Sequence, residues 1–180
     1  MEDDLSKLIV RAQRKDKDAF GQIYNLFLKR IYRFVYFSVH NHEQAEDITQ
    51  DTFLRAWRSL ASFSTSRGSF QAFLFAIARN LVIDWYRKKK EISLEAITDP
   101  SYQEDTSEKI TQDEEKQQLN RVLSKLKFLE RQIVTLRYFE ELSFFEIGKV
   151  VHLSEGAVRV RLHRILKQLK IYLKEQENET

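Results

Sequence analysis

Leu142-Ser143-Phe144-Phe145-Glu146-Ile147-Gly148-Lys149-Val150-Val151-His152-Leu153-Ser154-Glu155-Gly156-Ala157-Val158-Arg159-Val160-Arg161-Leu162-His163-Arg164 reads as a short helix, a tight turn and a second helix. Ser154 is a natural N-cap for the second helix, because its hydroxyl accepts from a free backbone N–H of the first turn. Val158, Leu162, Ile165 and Leu169 follow at helical spacing and predict a buried stripe. Arg159, Arg161, Arg164, Lys167 and Lys170 fall off that stripe. From Glu155 to Lys174 there are six Lys or Arg and one acid. Two readings fit this pattern. A helix pair whose second member is cationic fits the DNA major groove, and a solvated amphipathic helix has the same spacing.

The rest of the chain sets the context. It has 180 residues, 42% of them hydrophobic, enough for one domain or two small ones. Four glycines, one proline and the lack of β-branched alternation predict an all-α protein. There is no cysteine, so neither a disulfide framework nor a thiolate metal site is expected. His40, His42, His152 and His163 have no convincing zinc spacing. No basic start leads into an apolar run, and no stretch approaches the ~20 apolar residues that span a bilayer. The expectation is a cytoplasmic protein without a signal peptide or direct membrane insertion.

The net charge of +3 is unevenly spread. Residues 1–90 carry +6, residues 91–118 carry −7 and residues 119–180 carry +4. The acidic stretch holds Pro100 and a run of Ser, Thr, Asp and Glu, and it cannot bury much apolar surface. It reads as a flexible linker between two small helical domains, 1–90 and 119–180. Its acidity serves solubility or keeps the linker off a polyanion.

In the first domain Asp18 is expected to cap a helix whose Phe20, Tyr24, Phe27, Ile31, Phe34 and Val35 share one face. Lys29, Arg30 and Arg33 lie between them, either as solvated charges or as phosphate contacts. His40-Asn41-His42 breaks the pattern. The next helix is acidic at its start and basic at its end, as the macrodipole favours. Ile48, Thr52, Ala56 and Leu60 fall on one line, with Phe53 and Trp57 beside it. Asp47, Gln50, Asp51 and Leu54 project elsewhere, as plain surface or toward a partner. Asp51 and Arg55 are spaced to offset part of the Asp47–Asp51 repulsion.

Ser64–Gly68 reads as a loop, and Ser69 as the cap of a helix from Phe70. Asn80 interrupts an otherwise apolar run, and the helix ends in Trp85-Tyr86-Arg87-Lys88-Lys89-Lys90. Aromatics beside a cationic cluster are how unpaired strands are held, at ~1–3 kcal/mol per stacked base. Trp85 as a core residue and the cations as a solvated helix end is the alternative.

The order of these pieces resembles the extracytoplasmic-function class of bacterial sigma factors, which keep only regions 2 and 4. The resemblance covers roughly 18–90 and 119–173. Ala45–Trp57 resembles region 2.2, Ile77–Lys88 resembles regions 2.3–2.4, and Leu142–Arg164 resembles the region 4.2 helix-turn-helix. The resemblance implies a transcription initiation factor that makes no covalent bonds and needs no cofactor. Asp47, Gln50, Asp51 and Leu54 would then meet the β′ clamp helices of core RNA polymerase, with the β subunit a further contact. Asn80 would pair with the edge of a base flipped from the −10 element, in the loop expected around that position. Asp84 and Arg87 would shape that pocket or hold phosphate, Trp85 would stack, and Arg87, Lys88, Lys89 and Lys90 would track the DNA backbone. Arg131 and Arg137, on the preceding helix, would steady the backbone at the −35 element. Ser154, Glu155, Gly156, Ala157, Arg159, Val160, Arg161 and Arg164 would face that element's bases and phosphates. An anti-sigma factor is a further implied partner.

Three positions depart from the family pattern. Leu126-Lys127 stands where Leu-Pro is frequent, His152 where the turn has Gly or Asn, and Gly148 where Ala is usual. His tolerates positive φ better than most bulky residues, and Gly148 is expected to permit closer helix contact.

Two other functions share part of this pattern. An autonomous dimeric helix-turn-helix regulator would bind promoter duplex tightly without polymerase, but it leaves Asn80–Lys90 and the acidic helix without a role. A helical adaptor with basic ends would show no sequence-selective DNA binding. No nucleophile–base pair or phosphate-cradling glycine loop suggests an enzyme.

Overall fold

The computed structural model describes residues 2–92, 119 and 121–178. Every regular element among them is helical. The chain divides into two compact units with the break between Ser101 and Tyr102. The expected acidic linker lies outside the described residues, apart from its first two positions, which end a helix.

The first unit contains α1 (Glu2–Gln13), α2 (Lys17–Val39), α3 (His42–Ser59) and α4 (Phe70–Ile92). Short 3₁₀ turns, Leu60–Ser62 and Thr65–Arg67, lead from α3 to α4. α1 is an element that the sequence pattern does not announce. Its signal is short: Ile9 and Ala12 are its buried apolar residues. What fixes it is tertiary, since the Gln13 amide donates to the carbonyls of Leu60 (3.2 Å) and Phe63 (2.9 Å).

The cap of α2 is Asp16, not Asp18. The Asp16 carboxylate accepts from the Ala19 N–H at 3.0 Å and from Arg11 Nε at 2.8 Å. These bonds, that from Ala19 first, hold its pKa below the ordinary carboxylate value. Asp18 sits inside the first turn, where the helix dipole favours its charge. At the other end His40 takes a left-handed conformation (φ 52°) and the Asn41 side chain caps α3 by accepting from the Gln44 N–H at 2.8 Å. Two residues thus reverse the chain.

The aromatic stripe of α2 forms the core, as expected. Phe20 meets Trp57 and Tyr24 meets Phe53 across the α2–α3 contact, with centroids 4.8 Å and 4.6 Å apart. Phe27 meets Phe70 and Phe34 meets Phe75 across the α2–α4 contact. Phe27, Phe34, Phe53, Phe70 and Phe75 are buried and contribute about 1.5–3 kcal/mol each by leaving water, while Phe20, Tyr24 and Trp57 are half-buried. Tyr86 adds a polar tie, donating to the Ser38 carbonyl at 2.7 Å.

The second unit contains helical residues 121–124, α5 (Phe128–Val134), a π turn (Thr135–Phe139), α6 (Phe144–Val151) and α7 (Glu155–Asn178). Lys127 precedes α5 at φ −62°, a value a proline would fix. Its N–H is used instead, donating to Glu130 Oε2 at 3.1 Å. Ser143 and Glu146 form a full capping box at α6. His152 closes α6 in the left-handed region at φ 58° and the turn is intact. Gly148 permits a close approach, chiefly by the backbone of the turn. A Cβ there would lie 2.5 Å from the Leu153 carbonyl oxygen and 3.6 Å from the Glu155 N–H nitrogen that begins α7, so the glycine admits the turn first and the start of the next helix with it. Val158, Leu162 and Ile165 are buried under α7 as the spacing predicts, with Leu169 half-buried.

Candidate functional site

On α3 the residues Ala45, Ile48, Thr49, Thr52, Phe53 and Ala56 are buried. This orientation turns Asp47, Gln50, Asp51 and Leu54 to solvent together. Leu54 is 53% exposed, a large apolar side chain among acids and an amide. Arg55 reaches Asp84 of α4, with Nη1 3.9 Å from Oδ2, rather than serving only to offset Asp51. Asp84 also lies 3.8 Å from Arg87. These pairs are exposed, so water screens them and they add little stability. They do place one carboxylate between two guanidinium groups.

Asn80 lies within the continuous helix α4 and not in a loop. Its burial pattern explains why: Leu74, Phe75, Ala78, Leu81 and Val82 pack inward around it, and Asn80 is left on the exposed side. Asp84 and Arg87, four and seven residues on, share that side. Trp85 is half-buried, with Tyr86 against it at 4.8 Å and the Lys89 ammonium 5.2 Å above its ring. Trp85 is therefore both wall and surface. Arg87, Lys88 and Lys89 are exposed; Lys90 belongs to α4, and its side chain lies outside the described residues. Arg79 is half-buried, and desolvation lowers its pKa from the usual arginine value.

One cluster was not legible in the sequence. Tyr32 Oη lies 2.7 Å from His42 Nδ1, and the rings of Tyr36 and His42 stack at 4.6 Å. Burial first, and then the charge of Glu46, raise the Tyr32 pKa. Only the tight α2–α3 reversal brings these residues together, and neither helix pattern alone marks them.

In the second unit Ser154 caps α7 as expected, accepting from the Ala157 N–H at 3.2 Å. Glu155, Gly156, Arg159, Val160, Arg161 and Arg164 are exposed, whereas Ala157 is half-buried. A Cβ added at Gly156 would meet nothing within 4 Å, so a surface can approach the backbone closely. Glu155 Oε1 accepts from Arg159 Nε at 3.2 Å and Nη2 at 2.6 Å. Arg131 does not fit its expected role. It is 8% exposed and donates Nη2–H to the Leu126 carbonyl at 3.0 Å, so its guanidinium holds the start of α5 from within. Arg137 stays half-buried, donating Nη1–H to the Leu142 carbonyl at 2.9 Å.

Among the described residues no group of His, Asp and Glu is arranged to hold a metal ion, and no helix is long and apolar enough to cross a membrane. The arrangement offers charged and amide-bearing faces on rigid helices, which suits binding.

A helical unit with an exposed acidic face on α3 and a helix-turn-helix unit with a cationic second helix are the two parts of a sigma-70 type fold. Residues 23–92 match the Sigma-70 region 2 family and residues 116–169 match Sigma-70, region 4. The chain is 32% identical to ECF RNA polymerase sigma factor SigW of Bacillus subtilis, covering 97% of this chain and 100% of that protein. It is 32% identical to ECF RNA polymerase sigma factor BldN of Streptomyces coelicolor, covering 92% of this chain and 64% of BldN, so it spans about two thirds of that protein. CnrH, solved in complex with the cytosolic domain of CnrY, superposes with a TM-score of 0.70 at 26% identity over 93% of this chain and 96% of that one. RpoE of Bartonella quintana, solved with the anti-sigma factor NepR, has the same fold at a TM-score of 0.70 and 23% identity, over 86% of this chain and 96% of that one. The chain belongs to the ECF family of RNA polymerase sigma factors. Its members are transcription initiation factors that direct RNA polymerase to promoters, and they are regulators rather than enzymes.

Proposed function

We propose that the chain reads a −10 element with α4 and a −35 element with α7, after docking on core polymerase through the exposed face of α3. The observation that carries this is the division of labour between surfaces. Asp47, Gln50, Asp51 and Leu54 stand on one face of α3, while Asn80, Arg87, Lys88 and Lys89 stand on α4. A polymerase surface of basic and apolar character suits the first, and the β′ clamp helices are the surface that family resemblance assigns. Separated strands suit the second. Asn80 carries both a donor and an acceptor, so it can read a base edge. Melting is then driven by binding: unstacking costs a few kcal/mol per base, and capture of a flipped base at Asn80 with stacking on Trp85 offsets it.

On α7, Arg161 and Arg164 pair with no carboxylate among the described residues and project from the exposed face, suited to guanine O6/N7 or phosphate. Arg137 contacts the backbone beside them, and the sequence adds the charge of Lys90 to the cationic end of α4. Arg131 is left out of the DNA surface because of its burial. The complexes of CnrH with CnrY and of RpoE with NepR support an anti-sigma factor as a further partner of this chain.

Transcription in vitro with core polymerase on a promoter library tests the reading. Wild-type chain is expected to select both elements. Asn80→Ala is expected to reduce transcripts from a selected promoter while core binding stays at the wild-type level. Equal yields from Asn80→Ala and wild type would remove Asn80 from the −10 site.

A further inference from the structure

Phe144 is the first residue of α6, directly after the Ser143 cap. The guanidinium carbons of Arg137 and Arg159 lie 4.7 Å and 4.5 Å from its ring centroid. Arg137 comes from the π turn and Arg159 from α7, so one ring gathers cations from two other elements. Like charges drawn to one ring repel, and each has a compensating anchor. For Arg137 this is the Leu142 carbonyl, and for Arg159 the Glu155 carboxylate. Guanidinium groups bind rings through their flat face and anions through their edge N–H groups. Both arginines can thus stay on Phe144 while their edges change partners.

We propose that Phe144 is a positioning residue for −35 recognition: its ring holds Arg137 and Arg159 as a preformed pair of donors for the phosphates of duplex DNA. The proposal rests on α7 being the −35 helix. The ring sits at the N-terminal start of α6, and Arg159 lies one turn into α7. Both helix starts favour an incoming anion. On binding, a phosphate takes the place of the Glu155 carboxylate at the Arg159 edge. Because the ring has already restricted both long side chains, less freedom is lost at that step.

The test uses holoenzyme formed from full-length chain and core polymerase, with a duplex promoter fragment selected by the wild type. Phe144→Leu keeps apolar bulk and removes the ring face. It is expected to weaken −35-dependent binding by about five- to tenfold, because two long side chains must then be ordered on binding. Phe144→Tyr is expected to retain binding within about twofold, since the ring face remains. In an Arg137→Ala/Arg159→Ala background, Phe144→Leu is expected to have no further effect. Phe144→Leu binding like wild type would overturn the proposal. A loss equally large in the arginine-free background would overturn it too, since it would then reflect packing. If the wild-type holoenzyme shows no −35 dependence, the assignment of α7 fails instead, and the two failures are distinguishable.

Discussion

Glu155 illustrates how one residue tunes a cationic surface. It is the acid in the first turn of α7, where the helix dipole favours it, and it occupies the donors of Arg159. Glu155→Gln is expected to strengthen holoenzyme binding to unrelated duplex DNA and to steepen its dependence on log salt by about one unit, for one added phosphate contact. Filter or fluorescence titrations over a salt series measure this, and an unchanged slope would show that Arg159 gains no phosphate. Gly148 and His152 act on the turn instead. Gly148→Ala would drive a methyl group against the Leu153 carbonyl, so the turn must open and thermal stability must fall. His152→Gly relieves a left-handed residue and is expected to raise stability by about 1 kcal/mol. Calorimetric or circular-dichroism melting of both variants checks the opposite signs; a stabilised Gly148→Ala would show that the turn has slack.

At the scale of elements, α3 divides its two faces sharply. Its inner face is locked by Thr49 and Thr52, whose hydroxyls donate back to the carbonyls of Ala45 and Ile48, and by the Phe53 and Trp57 ring contacts. The outer acids take no part in that packing. Asp47→Lys with Asp51→Lys is therefore expected to leave helicity and melting nearly unchanged, since surface substitutions usually shift stability within about 0.5 kcal/mol. Core polymerase affinity should fall at least tenfold, and competition for core against the unmodified chain would show it. Retained affinity would dissociate this face from polymerase docking. Asp16 gives α2 a pH dependence of known sign. Its pKa is depressed in the fold, so its contribution is present above the ordinary carboxylate pKa and is lost as pH falls through the folded value.

At the scale of the whole molecule, the proposed reading requires two units built on separate cores to reach two DNA elements at once. With one element assigned to α4 and the other to α7, the proposal makes selectivity depend on the separation of the elements in the promoter. Inserting about five base pairs between them, half a helical turn, turns one element to the opposite side of the duplex. Run-off transcription from such a promoter is expected to drop at least tenfold, while a full-turn insertion costs less. Equal transcription from all spacings would mean that one unit suffices.

The sequence by itself determined the helical class, the two-unit plan, the faces of α2, α3 and α7, and the Ser69 and Ser154 caps. Each of these is a local matter of periodicity or of a side chain satisfying its own backbone, and such terms are written in consecutive residues. Tertiary structure alone decided the rest. It placed α1 by two hydrogen bonds from Gln13 to residues 47 and 50 positions away, buried Arg131, and brought Arg137 and Arg159 to Phe144. Spacing along a chain can say which side of a helix a residue takes. What lies against that side is fixed by how helices distant in sequence meet, because packing and desolvation act through space.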